Sequence, residues 1–93
     1  MSYLDRFGLE GKVALVPGGG GAIGSAIAGA LAAAGARVTV VDVTDERAEA
    51  AAERLRAEGA DILAIGADVT QEAECERIVA ATVERFGRVE ILF

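Results

Sequence analysis

The stretch Val16-Pro17-Gly18-Gly19-Gly20-Gly21-Ala22-Ile23-Gly24 places four consecutive glycines between a Val-rich run and a run of small residues. Glycine lacks a Cβ and adopts positive φ readily, so such a cluster lets a backbone turn tightly and approach a bound group closely. Where the turn opens a helix, the first N–H groups have no intrahelical acceptor and face that group, with the helix dipole favouring an anion. Two registers are available, Gly19-x-Gly21-x-x-Gly24 and the wider Gly18-x-x-x-Ala22-x-Gly24, and both suit a pyrophosphate. The candidate phosphate-side residues are therefore Gly18, Gly20, Gly21, Ala22, Ile23 and Gly24, with N–H donors expected around Ala22 to Ser25.

Two acids add to this. Asp42 closes Arg37-Val38-Thr39-Val40-Val41-Asp42 about 20 residues beyond the glycines, where a carboxylate accepts hydrogen bonds from an adenosine ribose. Asp42 and its neighbour Val43 are taken as cofactor-side residues. Asp68-Val69 closes the next apolar segment. There Asp68 would accept from an adenine amine and Val69 would supply an apolar wall, or Asp68 simply starts the turn before Thr70. A carboxylate at Asp42 repels a 2′-phosphate, and neither Ala22 nor Val43 is an arginine that would attract one. Arg47 reads as a solvated surface charge, so the expected cofactor is NAD rather than NADP.

These residues need elements to position them. Lys12–Val16 is a short apolar run of the kind buried on both faces of a parallel sheet. Ala22–Ala34 reads as a helix with Ile23, Ile27 and Leu31 on its core stripe and Gly35 as its stop. Arg37–Asp42 is a second strand. A helix capped by Thr44 or Asp45 runs to about Glu58 on a stripe of Ala48, Ala51, Ala52 and Leu55. Asp61–Ala67 is a third strand. Thr70 should cap a third helix, with Cys75, Ile78, Val79, Thr82, Val83 and Phe86 on its apolar face, and Arg88–Phe93 opens a fourth strand. The order β-α-β-α-β-α-β with short connections requires parallel strands and right-handed crossovers. It predicts a partial Rossmann-type doubly wound α/β sheet in strand order 3-2-1-4, a single domain over residues 1–93.

Composition narrows the function. The net charge of −6 with no histidine argues against nucleic-acid or anionic-membrane surfaces, which need basic patches. A single cysteine forms no internal disulfide, and no Cys/His spacing suggests a metal. Residues 13–36 carry no charge, but Pro17 and the glycines interrupt them and Ala and Gly are weak insertion signals. The N-terminus lacks a signal-peptide pattern, so the expected location is cytoplasmic and no membrane partner is expected.

With these residues placed, the chain resembles the N-terminal, cofactor-binding half of a short-chain dehydrogenase/reductase. The likeness runs from Leu9-Glu10-Gly11-Lys12 to Ile91-Leu92. It includes Gly18, Ala22, Ile23 and Gly24, the acid Asp42, the Asp68-Val69 pair, and Phe86-Gly87-Arg88-Val89-Glu90 leading into the fourth strand. The resemblance implies NAD-linked alcohol oxidation or carbonyl reduction. Pro17 stands where the family usually has Thr, which removes one ladder N–H, worth about 1 kcal/mol, and a hydroxyl that ties the turn to the segment after the fourth strand. The family's Asn-Asn-Ala-Gly segment and its Ser, Tyr and Lys have no counterpart in the chain. Tyr3 and Lys12 do not have the Tyr-x-x-x-Lys spacing. No catalytic residue is therefore assigned, and the chain alone is expected not to turn over substrate. Two other functions fit the same pattern: a stand-alone dinucleotide-binding module, and a fragment of an S-adenosylmethionine-binding methyltransferase. The latter generally places an acid just before the first glycine, where this chain has Val16-Pro17. An open edge on the fourth strand predicts self-association.

Overall fold

A computed structural model of the chain describes residues 9–18 and 21–92, with Ile91 and Leu92 described by their backbone alone. Four strands and three helices alternate: β1 (Val13–Pro17), α1 (Ala22–Ala33), β2 (Arg37–Asp42), α2 (Asp45–Arg56), β3 (Ile62–Gly66), α3 (Glu72–Phe86) and β4 (Ile91–Leu92). All pairings are parallel, and the strands lie in the order β3-β2-β1-β4.

The Val-rich strands are buried on both faces because helices cover both. Alternate residues Ala14, Val16, Val38, Val40 and Ile62 pack with Ala28 and Ala52, against Ile27 and Leu31 of α1 and Leu55 of α2. Leu15, Val41 and Ile65 turn the other way and meet Ile78 and Ala81 of α3. On that face Thr82 Oγ1 lies 3.0 Å from Thr39 Oγ1 and 2.8 Å from the Ile78 carbonyl oxygen, so a fully buried hydroxyl pair is satisfied where α3 crosses β2.

Several boundaries differ from the expectations, each for a local reason. The helical period puts Ile23 on the core stripe of α1, yet it is 77% exposed, while Ala28 is the helix's buried residue. Ile23 belongs to the first turn, which overhangs the sheet's carboxyl end, and the core begins a turn later. Thr70 does not cap α3. Its hydroxyl and N–H both go to Asp68 Oδ1, at 2.6 and 3.0 Å, and the N-cap falls on Gln71 without a side-chain bond. Val79 and Val83 are exposed and Cys75 lies at the surface, so the buried face of α3 is the narrower Ile78, Thr82, Phe86 stripe. β4 begins at Ile91 rather than Arg88, with the Val13 N–H meeting the Glu90 carboxylate just before it, and Phe93 lies outside the described residues.

The outer edge of β3 is closed by side chains. Arg56 donates to the Ile62 carbonyl at 2.8 and 3.2 Å, Asp45 Oδ1 accepts the Gly66 N–H at 2.8 Å, and Arg77 donates to the Gly66 carbonyl at 3.0 Å. Pairing with such edge groups blunts strand addition. Among the described residues no helix is long and apolar enough to cross a membrane.

Candidate functional site

The carboxyl ends of β1, β2 and β3 form one edge of the sheet, and every described candidate residue lies just at or beyond it. Strand β1 ends at Pro17. Val13 directs its carbonyl to the Glu90 N–H, and Arg37 of β2 donates to the carbonyl of Lys12. By the alternation of a parallel ladder, odd residues of β1 bond toward β4 and even residues toward β2. The N–H that Pro17 lacks is therefore missing on the β4 side, and the β1–β2 ladder is intact beside Val41.

Gly18 follows with φ of +72°, a conformation that costs an L-residue about 1–2 kcal/mol. Its carbonyl accepts the Gly21 N–H at 3.0 Å, which closes the turn, and Gly21 is the N-cap of α1. Gly19 and Gly20 lie outside the described residues, and with them the expectation for Gly20. The first intrahelical bond runs from the Ser25 N–H to the Gly21 carbonyl at 2.8 Å. Ser25 is thus not one of the expected donors. The N–H groups of Ala22, Ile23 and Gly24 precede that bond and have no helix carbonyl to meet. No acid stands in this first turn to compete for an anion. Among the described residues, a Cβ on Gly21 would meet the Gly18 carbonyl oxygen at an ordinary 3.5 Å.

Asp42 ends β2 and is 7% exposed. Its Oδ1 accepts the Val43 N–H at 2.7 Å and lies 3.1 Å from Nε of Arg47. Arg47 reads from sequence as a solvated charge, and its side chain is indeed 58% exposed while also pairing with Asp42. Thr44 caps α2 by accepting the Arg47 N–H at 3.2 Å, so Arg47 sits in the first turn. Helical side chains lean toward the N-terminus, which carries this guanidinium back over the end of β2. The signal lies in its spacing from the Thr44 cap.

Gly66 and Asp45 also shape the site, though neither stands out as a site residue in the sequence. A Cβ on Gly66 would come within 2.6 Å of both the Thr44 carbonyl carbon and Asp45 Oδ1. Only glycine lets the Asp42–Asp45 loop close onto the end of β3, where the Ala67 N–H also donates to the Asp42 carbonyl at 2.8 Å.

Asp68 differs from Asp42. It is exposed, and its Oδ1 is committed to the turn that starts α3. The Thr70 hydroxyl, followed by the Thr70 N–H, holds its carboxyl below the ordinary value of 3.8. Val69 follows, 46% exposed, with Val43 at 72% beyond β2. Three large exposed hydrophobics, Ile23, Val43 and Val69, thus line the carboxyl end of adjacent strands. Among the described residues no three His, Cys, Asp or Glu side chains gather as metal ligands.

A parallel sheet with helices on both faces, a glycine turn leaving its central strand and a buried acid closing the neighbouring strand defines the Rossmann-like α/β class. The chain belongs to the short chain dehydrogenase family, which it matches over residues 12–93. It is similar to levodione reductase of Leifsonia aquatica, with 46% identity over 84 residues that span 88% of this chain and 32% of that protein. Among solved structures, a hydroxysteroid dehydrogenase from Escherichia coli superposes with a TM-score of 0.91 at 33% identity, over 95% of this chain and 36% of the other. A short chain dehydrogenase/reductase from Burkholderia phymatum, solved in complex with NAD, does so with a TM-score of 0.88 at 33% identity, over 91% and 30%. The chain therefore spans about a third of the length of the relatives it matches.

Proposed function

We propose that this chain is the NAD(H)-binding portion of a short-chain oxidoreductase that oxidises an alcohol or reduces a carbonyl. The observation that carries this is the buried Asp42 carboxylate at the end of β2, on the same sheet edge as the Gly18–Gly24 turn. The N–H groups of Ala22, Ile23 and Gly24 would hold the pyrophosphate along the dipole of α1. Asp42 Oδ1 is engaged by Val43 and Arg47, and Oδ2 would accept from the ribose hydroxyls. Ile23, Val43 and Val69 would supply apolar walls, while Asp68 shapes the turn that positions Val69. The nicotinamide supplies hydride transfer. The chain's own part is to bind and orient the adenosine half, and no residue of it is assigned a catalytic role.

The NAD complex of the Burkholderia relative supports the cofactor class. NAD is favoured over NADP by the Asp42 charge. A cytoplasmic setting and self-association through the β4 edge, which pairs with β1 at Ala14–Ile91 and Leu15–Leu92 among the described residues, complete the proposal. Calorimetric titration with NAD and S-adenosylmethionine in parallel tests it. Heat and saturation with NAD alone are expected, and a preference for S-adenosylmethionine would overturn the dehydrogenase assignment.

A further inference from the structure

Away from the cofactor edge, we infer that the groove between α1 and α2 binds a small monocarboxylate with an aliphatic tail, its carboxylate held by Arg54. Among the described residues, Ser25 and Ala26 of α1 and Ala51, Arg54 and Leu55 of α2 line a cavity of about 280 Å³ between the two helices. The helices close on each other at Gly29, where a Cβ would stand 3.7 Å from Leu55 Cδ2, and Leu55 also borders the cavity. Ala26, Ala51 and Leu55 give the groove apolar walls, and Arg54 is the charged residue among those that line it. Its size suits a small ligand rather than a cofactor.

Arg54 is set apart by its pairing. Every other described lysine or arginine side chain stands within 3.9 Å of a carboxylate oxygen, whereas Arg54 forms no ion pair among the described residues. Glu53 beside it and Glu58 shortly after it are exposed acids, and neither takes it up. Its place in the last turn of α2 suits a cation through the helix dipole. The same holds for Arg56, which is nonetheless committed to Glu49 and the Ile62 carbonyl. A planar guanidinium beside apolar walls matches one carboxylate bidentately while the alkyl tail covers Ala26, Ala51 and Leu55. A dianion is less well served, because no second cation is among the lining residues. The groove begins at Ser25, whose N–H bonds the Gly21 carbonyl, so it takes none of the Ala22, Ile23 and Gly24 donors. An occupant therefore leaves the dinucleotide edge free.

The test is titration of the full chain with hexanoate, followed by NMR amide chemical shifts so that weak binding is still measured. Saturable shifts are expected at Ser25, Ala26, Ala51, Arg54 and Leu55, and an excess of NAD should leave them in place. Acetate lacks the tail and hexanol lacks the charge, so each should bind at least about fivefold more weakly. Arg54→Gln should weaken hexanoate by about fivefold or more, the loss expected for one charge-assisted contact near the surface. Arg54→Lys should keep part of the affinity. Ala26→Leu, an exposed change to a good helix former, should fill the groove and abolish binding with the Arg54 charge intact. Circular dichroism checks that each variant folds. Absence of saturation up to about 10 mM hexanoate, equal affinity in folded Arg54→Gln, or equal affinity for acetate overturns the inference. Displacement of hexanoate by NAD would put it in the cofactor site and overturns the inference as well, while leaving that site standing.

Discussion

Asp42 and Asp68 lie at the ends of neighbouring strands on one sheet edge, yet the fold treats them oppositely. Asp42 is buried, accepts from its own neighbour's N–H and is paired with Arg47. Asp68 is exposed, and its Oδ1 serves the turn into α3 through Thr70. The difference originates in the residues just C-terminal to each acid. After Asp42 the chain lies close on β3, with Thr44 and Asp45 against Gly66 and the Gly66 N–H donating to Asp45 Oδ1. After Asp68 a Thr two residues on folds the acid into its own loop. A buried carboxylate needs partners that offset its desolvation, and Asp42 has them in the Val43 N–H and the Arg47 guanidinium.

The contrast breaks most readily at Asp42. Asp42→Ala removes the acceptor for Val43 and Arg47, so thermal denaturation should show a loss of about 2 kcal/mol, with NAD affinity down about tenfold or more. Gly66→Ala should cost about 1–3 kcal/mol by forcing the Thr44–Asp45 backbone off β3. It should also weaken NAD, because the loop it displaces begins at Asp42; a stable variant with unchanged affinity would detach Asp42 from the site. Asp68→Asn, an exposed change, should shift NAD affinity by less than about threefold and leave the melting temperature nearly unchanged.

The smallest effect is in the pH dependence. The folded pKa of Asp68 is depressed, so its contribution is present above the unfolded value of 3.8 and is lost as pH falls through the lower folded value. Glu74, held low by Arg77, and Glu90, held low chiefly by Lys12, act in the same sense below their ordinary 4.5. Acid titration of stability should therefore be flat at neutral pH and fall at strongly acidic pH. Thr70→Val should make the Asp68 part of that fall shallower without touching NAD binding at neutral pH.

Much of the fold is legible in the sequence because its signals are local. The Val runs at 13–16 and 37–42 have no charged interior, and the Ala48, Ala51, Ala52 stripe of α2 is buried as its spacing requires. Asp42 is visible as an acid ending a strand. Arg47 is not, because its role depends on a helix cap turning its side chain back over another element. Gly66 carries no turn signal of its own, and the need for glycine there arises from a loop 21 residues earlier in the chain. Ile23 has the period of a core residue, but helix periodicity does not reveal where the sheet beneath a helix ends.

The central claim is that Asp42, and not Asp68, is the acid that meets the dinucleotide. Calorimetric titration of NAD into the unsubstituted chain, Asp42→Ala and Asp68→Asn, each checked for folding by circular dichroism, measures it directly. Binding should fall about tenfold or more in folded Asp42→Ala and stay within about threefold in Asp68→Asn, as expected for loss of charge-assisted ribose contacts at one site only. Equal NAD affinity in the unsubstituted chain and Asp42→Ala would contradict it.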